Sequence, residues 1–422
     1  MTKTAPWIGV VVLTSLAWLG AQGAPPAPGP GRAGPPAGPP GRAQAPPKPP
    51  TITDPDGHIV TSEMQTLKVE VVARGLETPW GMAFLPDGRL LITERPGRLR
   101  IVDHGKLSPP VSGLSPVEQV QDGGLMDVEV HPKYAQNGWI YLSYAEPGPN
   151  NTSVTERADN NTGMTTIVRG KIDGSGHWTG QQVIFHAAPE FYTATHIHYG
   201  SRFVFDKEGH LFFSLGEHGR PEDAQDLSKP TGKVHRVNDD GSVPKDNPFA
   251  NRAGAVPSIW TYGHRNPQGL AFNAAGELWE TEHGPNAGDE LNLLKAGHNY
   301  GWAVVSNGTQ PGITETERAG MDSPIVFWTP TMAPGGIAFA TGNRYPRWKN
   351  QLFVTGLGGQ VLRRLVIDKD KVTHQEVVFD NLGRVRDIIV GPDGLFYIAT
   401  ALPGRRLSDT TEGYVLRLVP AK

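Results

Sequence analysis

An all-β fold, a six-bladed β-propeller, is what this sequence predicts, and three observations carry the expectation. Fifty-two glycines and thirty-nine prolines punctuate short β-branched or aromatic runs such as Leu99–Val102, Trp139–Tyr144 and Tyr414–Val419. No stretch sustains a helical period over several turns, and the best helix candidate is a short piece near Asp289–Lys295. An apolar run, a small turn and a second strand then recur along the chain, which is the mark of a repeat architecture.

The segments follow in order. Residues 1–23 hold one early cation, Lys3, then an apolar segment from Ile8 to Leu19, then small residues around Ala21–Gly23. The apolar part is short for a membrane span, and the layout is that of a secretory signal peptide, with no span left after its removal. Residues 24–64 form a tether and lead-in, with Pro, Gly and Ala dominating up to residue 50. Such a composition cannot bury a core and reads as a semi-rigid spacer. The propeller itself is expected over 65–422. A leader of this kind points to a periplasmic or secreted protein, and the absence of cysteine means an exported domain held by packing, not by disulfides. A formal net charge of −3 gives no reason to expect nucleic acid or an anionic membrane as partner.

The repeats are "GMAFLPDGRLLITE" (81–94), "MDVEVHPKYAQNGWIYLSY" (126–144), "SRFVFDKEGHLFFSLGE" (201–217), "GLAFNAAGELWETEH" (269–283), "GGIAFATGNRYPRWKNQLFVTG" (335–356) and "RDIIVGPDGLFYIAT" (386–400). Their spacing matches four-stranded blades with insertions. Lys68–Ala73 is expected to pair with Tyr414–Val419 in the last blade, closing the ring and removing its open edges. The Asn- and Thr-rich segment between Ala145 and Val168 reads as a long exposed insertion.

If each copy begins with the innermost strand of its blade, the residues just before it share one mouth of the central channel. That position gives Pro79 and Trp80, Gln121 and Asp122, His198 and Tyr199, Arg265 and Asn266, Thr331, and Arg384 with Arg386. Polar lead-ins are common in turns for bland reasons. The set assembled by symmetry, with an imidazole, three guanidiniums, a carboxylate and two amides, describes a pocket for an anionic, oxygen-rich ligand.

These residues resemble the soluble aldose sugar dehydrogenases that use pyrroloquinoline quinone (PQQ), related to soluble quinoprotein glucose dehydrogenase. The resemblance covers nearly all of 70–420 and is densest in "HYGSRFVFD" (198–206), "YGHRNPQGLAF" (262–272), "EHGPNAGDELN" (282–292), "NYGW" (299–302) and "RVRD" (384–387). It implies a six-bladed propeller that binds PQQ through Ca2+ and oxidises the anomeric hydroxyl of an aldose to a lactone, passing electrons to an external acceptor. His198 is implied as the base taking the sugar hydroxyl proton, work that suits an imidazole near neutral pH. Its neighbour His196 does not match the motif. Arg265 is implied beside the quinone oxygens. Asn266, Thr331 and Asp122 are implied around the cofactor, and Arg384 and Arg386 as holders of its carboxylates or ring oxygens. The backbone carbonyls of Gly284 and Pro285 are implied as calcium ligands. Asp289, Glu290 and Tyr300 match positions that hold a separate calcium in the family, against the plainer reading of surface acids capping a short helix.

Two positions depart from the family pattern. Asp122 stands before "GGL" where Gln or Glu is usual. Gly358, in "TGLGGQVLRRL" (355–365), stands where a cation commonly pairs with a PQQ carboxylate, leaving Arg363 or Arg405 as substitutes. Trp328 and the loop 329–336 are expected on the substrate side. A calcium-dependent sugar lactonase on the same scaffold is an alternative, with Asp122, Asn266 and Asp387 as its available ligands. A saccharide-binding propeller without PQQ affinity is another.

Overall fold

A computed structural model of the chain describes residues 48–422 other than 157–160, 405–408, 410 and 422; the leader and most of the tether lie outside the described residues. Its strands form six antiparallel sheets, five of four strands and one of five. The innermost strands are Pro79–Phe84, Leu125–Val130, Phe203–Phe205, Pro267–Phe272, Pro334–Phe339 and Arg384–Val390, each beginning a repeat found in the sequence. Each touches the next around a closed ring, and the sixth returns to the first. This is the six-bladed propeller.

Within each blade the inner strand turns back through a short hairpin whose register places entry opposite exit. Pro79 pairs with Glu94, Pro267 with Glu282, and Pro334 with Gly356. The residue that leads into the first strand therefore sits beside the residue that leaves the second. In the last blade Thr66–Glu77 pairs with Glu412–Pro420 over Leu67↔Pro420 to Glu77↔Glu412, closing the ring as expected, and Ile59–Thr61 adds a fifth, outer strand. No edge of the N-terminal strand is left open towards the ring.

The core lies between blades. Trp348, Phe353 and Phe396 are fully buried and interlock across blades five and six, with Tyr345 stacked on both Trp348 and Phe396. Rings of this size each bury enough apolar surface to contribute roughly 2–3 kcal/mol, which a disulfide-free chain of short strands needs.

The structure differs from the sequence expectation in two segments. Asp289–Leu294 is a strand, the third of blade four, paired with both Leu278–Glu282 and Val326–Trp328. Cross-strand pairing on two sides outweighs the weak helical spacing of its leucines. The insertion after Ala145 is also shorter than expected. Ile140–Pro147 and Gly163–Ile172 are paired strands, and Gly163 to Val168 are buried.

Candidate functional site

One mouth of the channel opens into a cavity of about 430 Å3. Of the ring of lead-in residues, Trp80, Asp122, His198, Tyr199, Asn266, Thr331, Arg384 and Arg386 all line it. Residues from every blade thus meet in one place. Pro79, Gln121 and Arg265 do not line the cavity, and of these Arg265 departs most from expectation. Its side chain turns into a smaller adjoining cavity with Gly284, Pro285, Glu290 and Trp302. There it donates to the His283 carbonyl at 3.1 Å and lies 5.4 Å from the Trp302 ring centroid.

His198 is held from two sides. Its backbone is in the left-handed region (φ 56°) and its N–H donates to the Asp122 carboxylate at 3.2 Å. The Glu217 carboxylate contacts its Nδ1, and Glu217 itself is buried. A carboxylate on Nδ1 keeps the proton on that nitrogen and leaves Nε2 as the acceptor. The neighbouring His218 is fully enclosed, and burial pushes its pKa down to about 3, so it stays neutral beside His198. Gly216 is required at this point, because a Cβ there would lie 1.9 Å from the His198 carbonyl oxygen.

The charge balance of the mouth is uneven. Among the described residues, Arg95, Arg384 and Arg386 line it against a single carboxylate, Asp122. Burial lowers the pKa of all three, and for Arg386 burial and the nearby Arg384 and Arg202 bring it down to about 9. Guanidiniums crowded this way favour an anion among them. Arg386 donates to Gln268 Oε1 at 2.9 Å, while the Gln268 amide donates to the Gly200 carbonyl and to Asn266 Oδ1. The Arg384 guanidinium makes no hydrogen bond among the described residues, although its backbone pairs with Ala401. The Trp80 ring lies under this group, with Arg386 at 5.2 Å and Arg202 at 4.5 Å from its centroid.

The turn carrying Gly284 and Pro285 is tied to the Thr331 loop by one buried carboxylate. Asp289 accepts from Gly284 N–H at 3.0 Å, Thr331 Oγ1 at 2.7 Å, Met332 N–H at 2.7 Å and Ala333 N–H at 2.8 Å. It is neither a surface acid nor a helix cap, and its oxygens are consumed in joining two loops. The Tyr300 hydroxyl is likewise engaged, donating to the Leu293 carbonyl. The acids of this blade converge elsewhere: His264, Glu280 and Glu282, all buried, bring donor atoms within 4.8 Å of one another. Burial and Glu282 hold the Glu280 carboxyl well above the usual range.

Trp328 does not face the mouth; it is buried, with its indole N–H on Gln375. Arg363 does not line the cavity, and Arg405 lies outside the described residues. Asp387 accepts from Arg202 at 3.0 Å and from Met82 N–H, and it lines a different cavity at the opposite end of the channel. It does not converge with Asp122 and Asn266 into the ligand set a lactonase would use.

The lead-in rule missed Arg95, Glu217, Gln268 and His283. Three of them share a signal. Arg95 and His283 directly follow the second strand of their blades, and Glu217 follows within two residues of Leu215. Entry opposite exit in each hairpin brings these residues to the same mouth.

Propellers host many chemistries, so the class of this one comes from its relatives and not from the fold. Residues 76–408 match the family model described as Glucose / Sorbosone dehydrogenase, and the chain belongs to that family. It is an oxidoreductase of the sugar dehydrogenase class. It is 37% identical to aldose sugar dehydrogenase YliI of Escherichia coli (strain K12), covering 84% of this chain and 93% of that one. It is 27% identical to quinoprotein glucose dehydrogenase B of Acinetobacter calcoaceticus, over 81% of this chain and 86% of the other. Among solved structures, the PQQ-bound aldose sugar dehydrogenase of Streptomyces coelicolor superposes with a TM-score of 0.65 at 28% identity, covering 85% of this chain and 100% of that one. The apo aldose sugar dehydrogenase of Escherichia coli gives 0.75 at 36%, covering 84% and 100%.

Proposed function

We propose that this chain oxidises the anomeric hydroxyl of an aldose to a lactone, with PQQ and Ca2+ held at the channel mouth. The observation that carries the reading is the pairing of three guanidiniums against one carboxylate with an imidazole backed by a buried carboxylate. PQQ is planar and carries three carboxylates, so the donor set and the flat Trp80 ring suit it, and the cavity volume is within the range of cofactor pockets. For calcium the fit is partial. The Gly284 carbonyl receives no hydrogen bond among the described residues. The Pro285 carbonyl already accepts from Ala287 N–H at 2.6 Å and Thr309 N–H at 3.2 Å, which it would have to share. When bound, PQQ supplies a two-electron acceptor and calcium a Lewis acid beside it.

The residues of the chain divide the remaining work. His198 Nε2 accepts the proton of the sugar hydroxyl, and Glu217 fixes the tautomer that makes it an acceptor. Arg384 and Arg386 hold carboxylates. Asn266 and Thr331 orient the bound group, and Asp122 fixes the His198 backbone. Arg265, behind the wall, stabilises negative charge near Gly284. The leader at 1–23 supports export to the periplasm or the medium.

The test is a titration of the full chain with PQQ, with calcium present and after chelation, followed by aldose-dependent dye reduction. Saturable calcium-dependent binding and sugar-driven reduction are expected. Absence of binding up to high micromolar PQQ would overturn the reading.

A further inference from the structure

The blade-five sector of the mouth contributes Thr331, Ala333, Leu357 and Gly358 to the lining, and none of these side chains carries a charge. The guanidiniums all come from blades one and six. A ligand with several carboxylates spread around a planar frame would meet cations on one side only. Beside the uncharged sector lies a cation from a different part of the sequence. The Lys48 ammonium donates to the Gly359 carbonyl at 2.9 Å and to the Gly358 carbonyl at 3.3 Å.

This contact belongs to a seated strap. Thr51 Oγ1 donates to Gln360 Oε1 at 2.6 Å, and Ile52 N–H donates to the Asn381 carbonyl at 2.9 Å. The Thr53 carbonyl accepts from the Tyr414 hydroxyl, and Asp54 pairs with Arg74 at 2.8 Å. Lys48 does not itself line the cavity, but it reaches the carbonyl of Gly358, which does, by a fixed route from more than three hundred positions away in sequence. An ammonium has three donors, and two carbonyls engage two of them, so one remains for an anion. Lys48 is itself exposed, so an arriving ligand reaches it without displacing protein.

We infer that Lys48 is a ligand-binding residue of the mouth, supplied by the N-terminal strap, which pairs with a carboxylate of the acidic cofactor on the blade-five side. The inference rests on the PQQ reading above. It also makes the strap part of the binding site and gives the end of the Pro-rich lead-in a chemical task.

The test is calorimetric titration of PQQ, with calcium, into the full chain and three variants: Lys48→Ala, Lys48→Arg, and Lys48→Ala combined with Gly358→Lys. Gly358 is not in the left-handed region, and a Cβ there meets nothing nearer than 3.6 Å, so a side chain is accommodated. Loss of one partly exposed charge pair should weaken binding by roughly five- to tenfold in Lys48→Ala. Lys48→Arg should stay near wild type, and the double variant should regain most of the loss. Lys48→Ala binding within about twofold of wild type overturns the inference and leaves the PQQ reading standing, as the ion pair would then be too weak to register. A loss that Gly358→Lys does not restore also overturns it, because the ammonium would then act by pinning the 357–360 loop. A wild-type chain that binds no PQQ overturns both. Thermal melts of each variant accompany the titrations, and equal midpoints separate binding from folding.

Discussion

The two ends of the central channel are built by the same six inner strands and have opposite chemistry. At the site end, Arg95, Arg384 and Arg386 face one lining carboxylate and a ligand-sized space. At the other end, a cavity of about 290 Å3 is walled by apolar strand residues with Asp127, Glu129 and Asp387 around Arg202. There one guanidinium bridges two of the three carboxylates. Arg202 reaches Asp127 at 2.9 Å and Asp387 at 3.0 Å, and its Nε donates to the Gln268 carbonyl at 3.0 Å. Trp80 lies between the two systems, close to a guanidinium of each. Arg202 uses its charge to bridge blades, whereas Arg384 at the mouth has no carboxylate salt bridge among the described residues.

Changes at the two ends should therefore fail in different ways. The largest effect expected is in His198→Ala, which should lower aldose-dependent dye reduction by about 10²–10⁴-fold while PQQ affinity stays within a few-fold. Steady-state rates beside a binding titration check this, and a loss of affinity equal to the loss of rate would mean that His198 only holds the cofactor. At the opposite end, Arg202→Met should strand Asp127 and Asp387 as a buried acidic pair. A destabilisation of about 3–5 kcal/mol is expected, read as a lower denaturant midpoint. An unchanged midpoint would break the comparison.

Arg384→Ala is the converse. With no hydrogen bond to lose and like charges beside it, it should change stability by less than about 1 kcal/mol, yet weaken PQQ binding by roughly tenfold or more. A variant that unfolds instead would place Arg384 among the structural charges.

The smallest effect concerns Glu118, buried behind the mouth with Tyr199, Asn151 and His196 around it. Burial raises its pKa to about 7. The folded state thus holds this proton more tightly than the unfolded chain does. Its contribution is present below the ordinary glutamate range and is lost as pH rises towards 7, a change on the order of 1–3 kcal/mol. Glu118→Gln should flatten that part of the stability profile in denaturant titrations between pH 4.5 and 7.5.

Much of this is legible in the sequence alone, and the reason is symmetry. A repeat converts one sequence position into a ring in space, so Trp80, Asp122, His198, Asn266, Thr331, Arg384 and Arg386 could be placed together from their offsets alone. Glu217, Arg95 and His283 were not, because they leave the second strand instead of entering the first. Only the hairpin register, with Pro79 opposite Glu94 and Pro267 opposite Glu282, shows that exits and entries share a mouth. Arg265 satisfied the offset and still turned away, since its backbone N–H is fastened to the Glu282 carboxylate and its guanidinium to the His283 carbonyl. Asp289 looked like a solvent-facing acid because a run of DELN carries no mark of the two loops it joins. Lys48 is invisible to any local pattern, as its partners lie at the far end of the chain.

The last blade draws its strands from both ends of the chain, with Thr66–Glu77 lying against Glu412–Pro420. Arg384 and Arg386 open the inner strand of that blade, and Trp80 follows directly after its N-terminal strand. Assembly order follows from this arrangement. The first five blades can form as the polypeptide emerges, but the wall that carries Arg384 and Arg386 waits for the final nine-residue strand to dock. An unfinished or proteolytically shortened copy accordingly lacks a closed ring and a complete mouth.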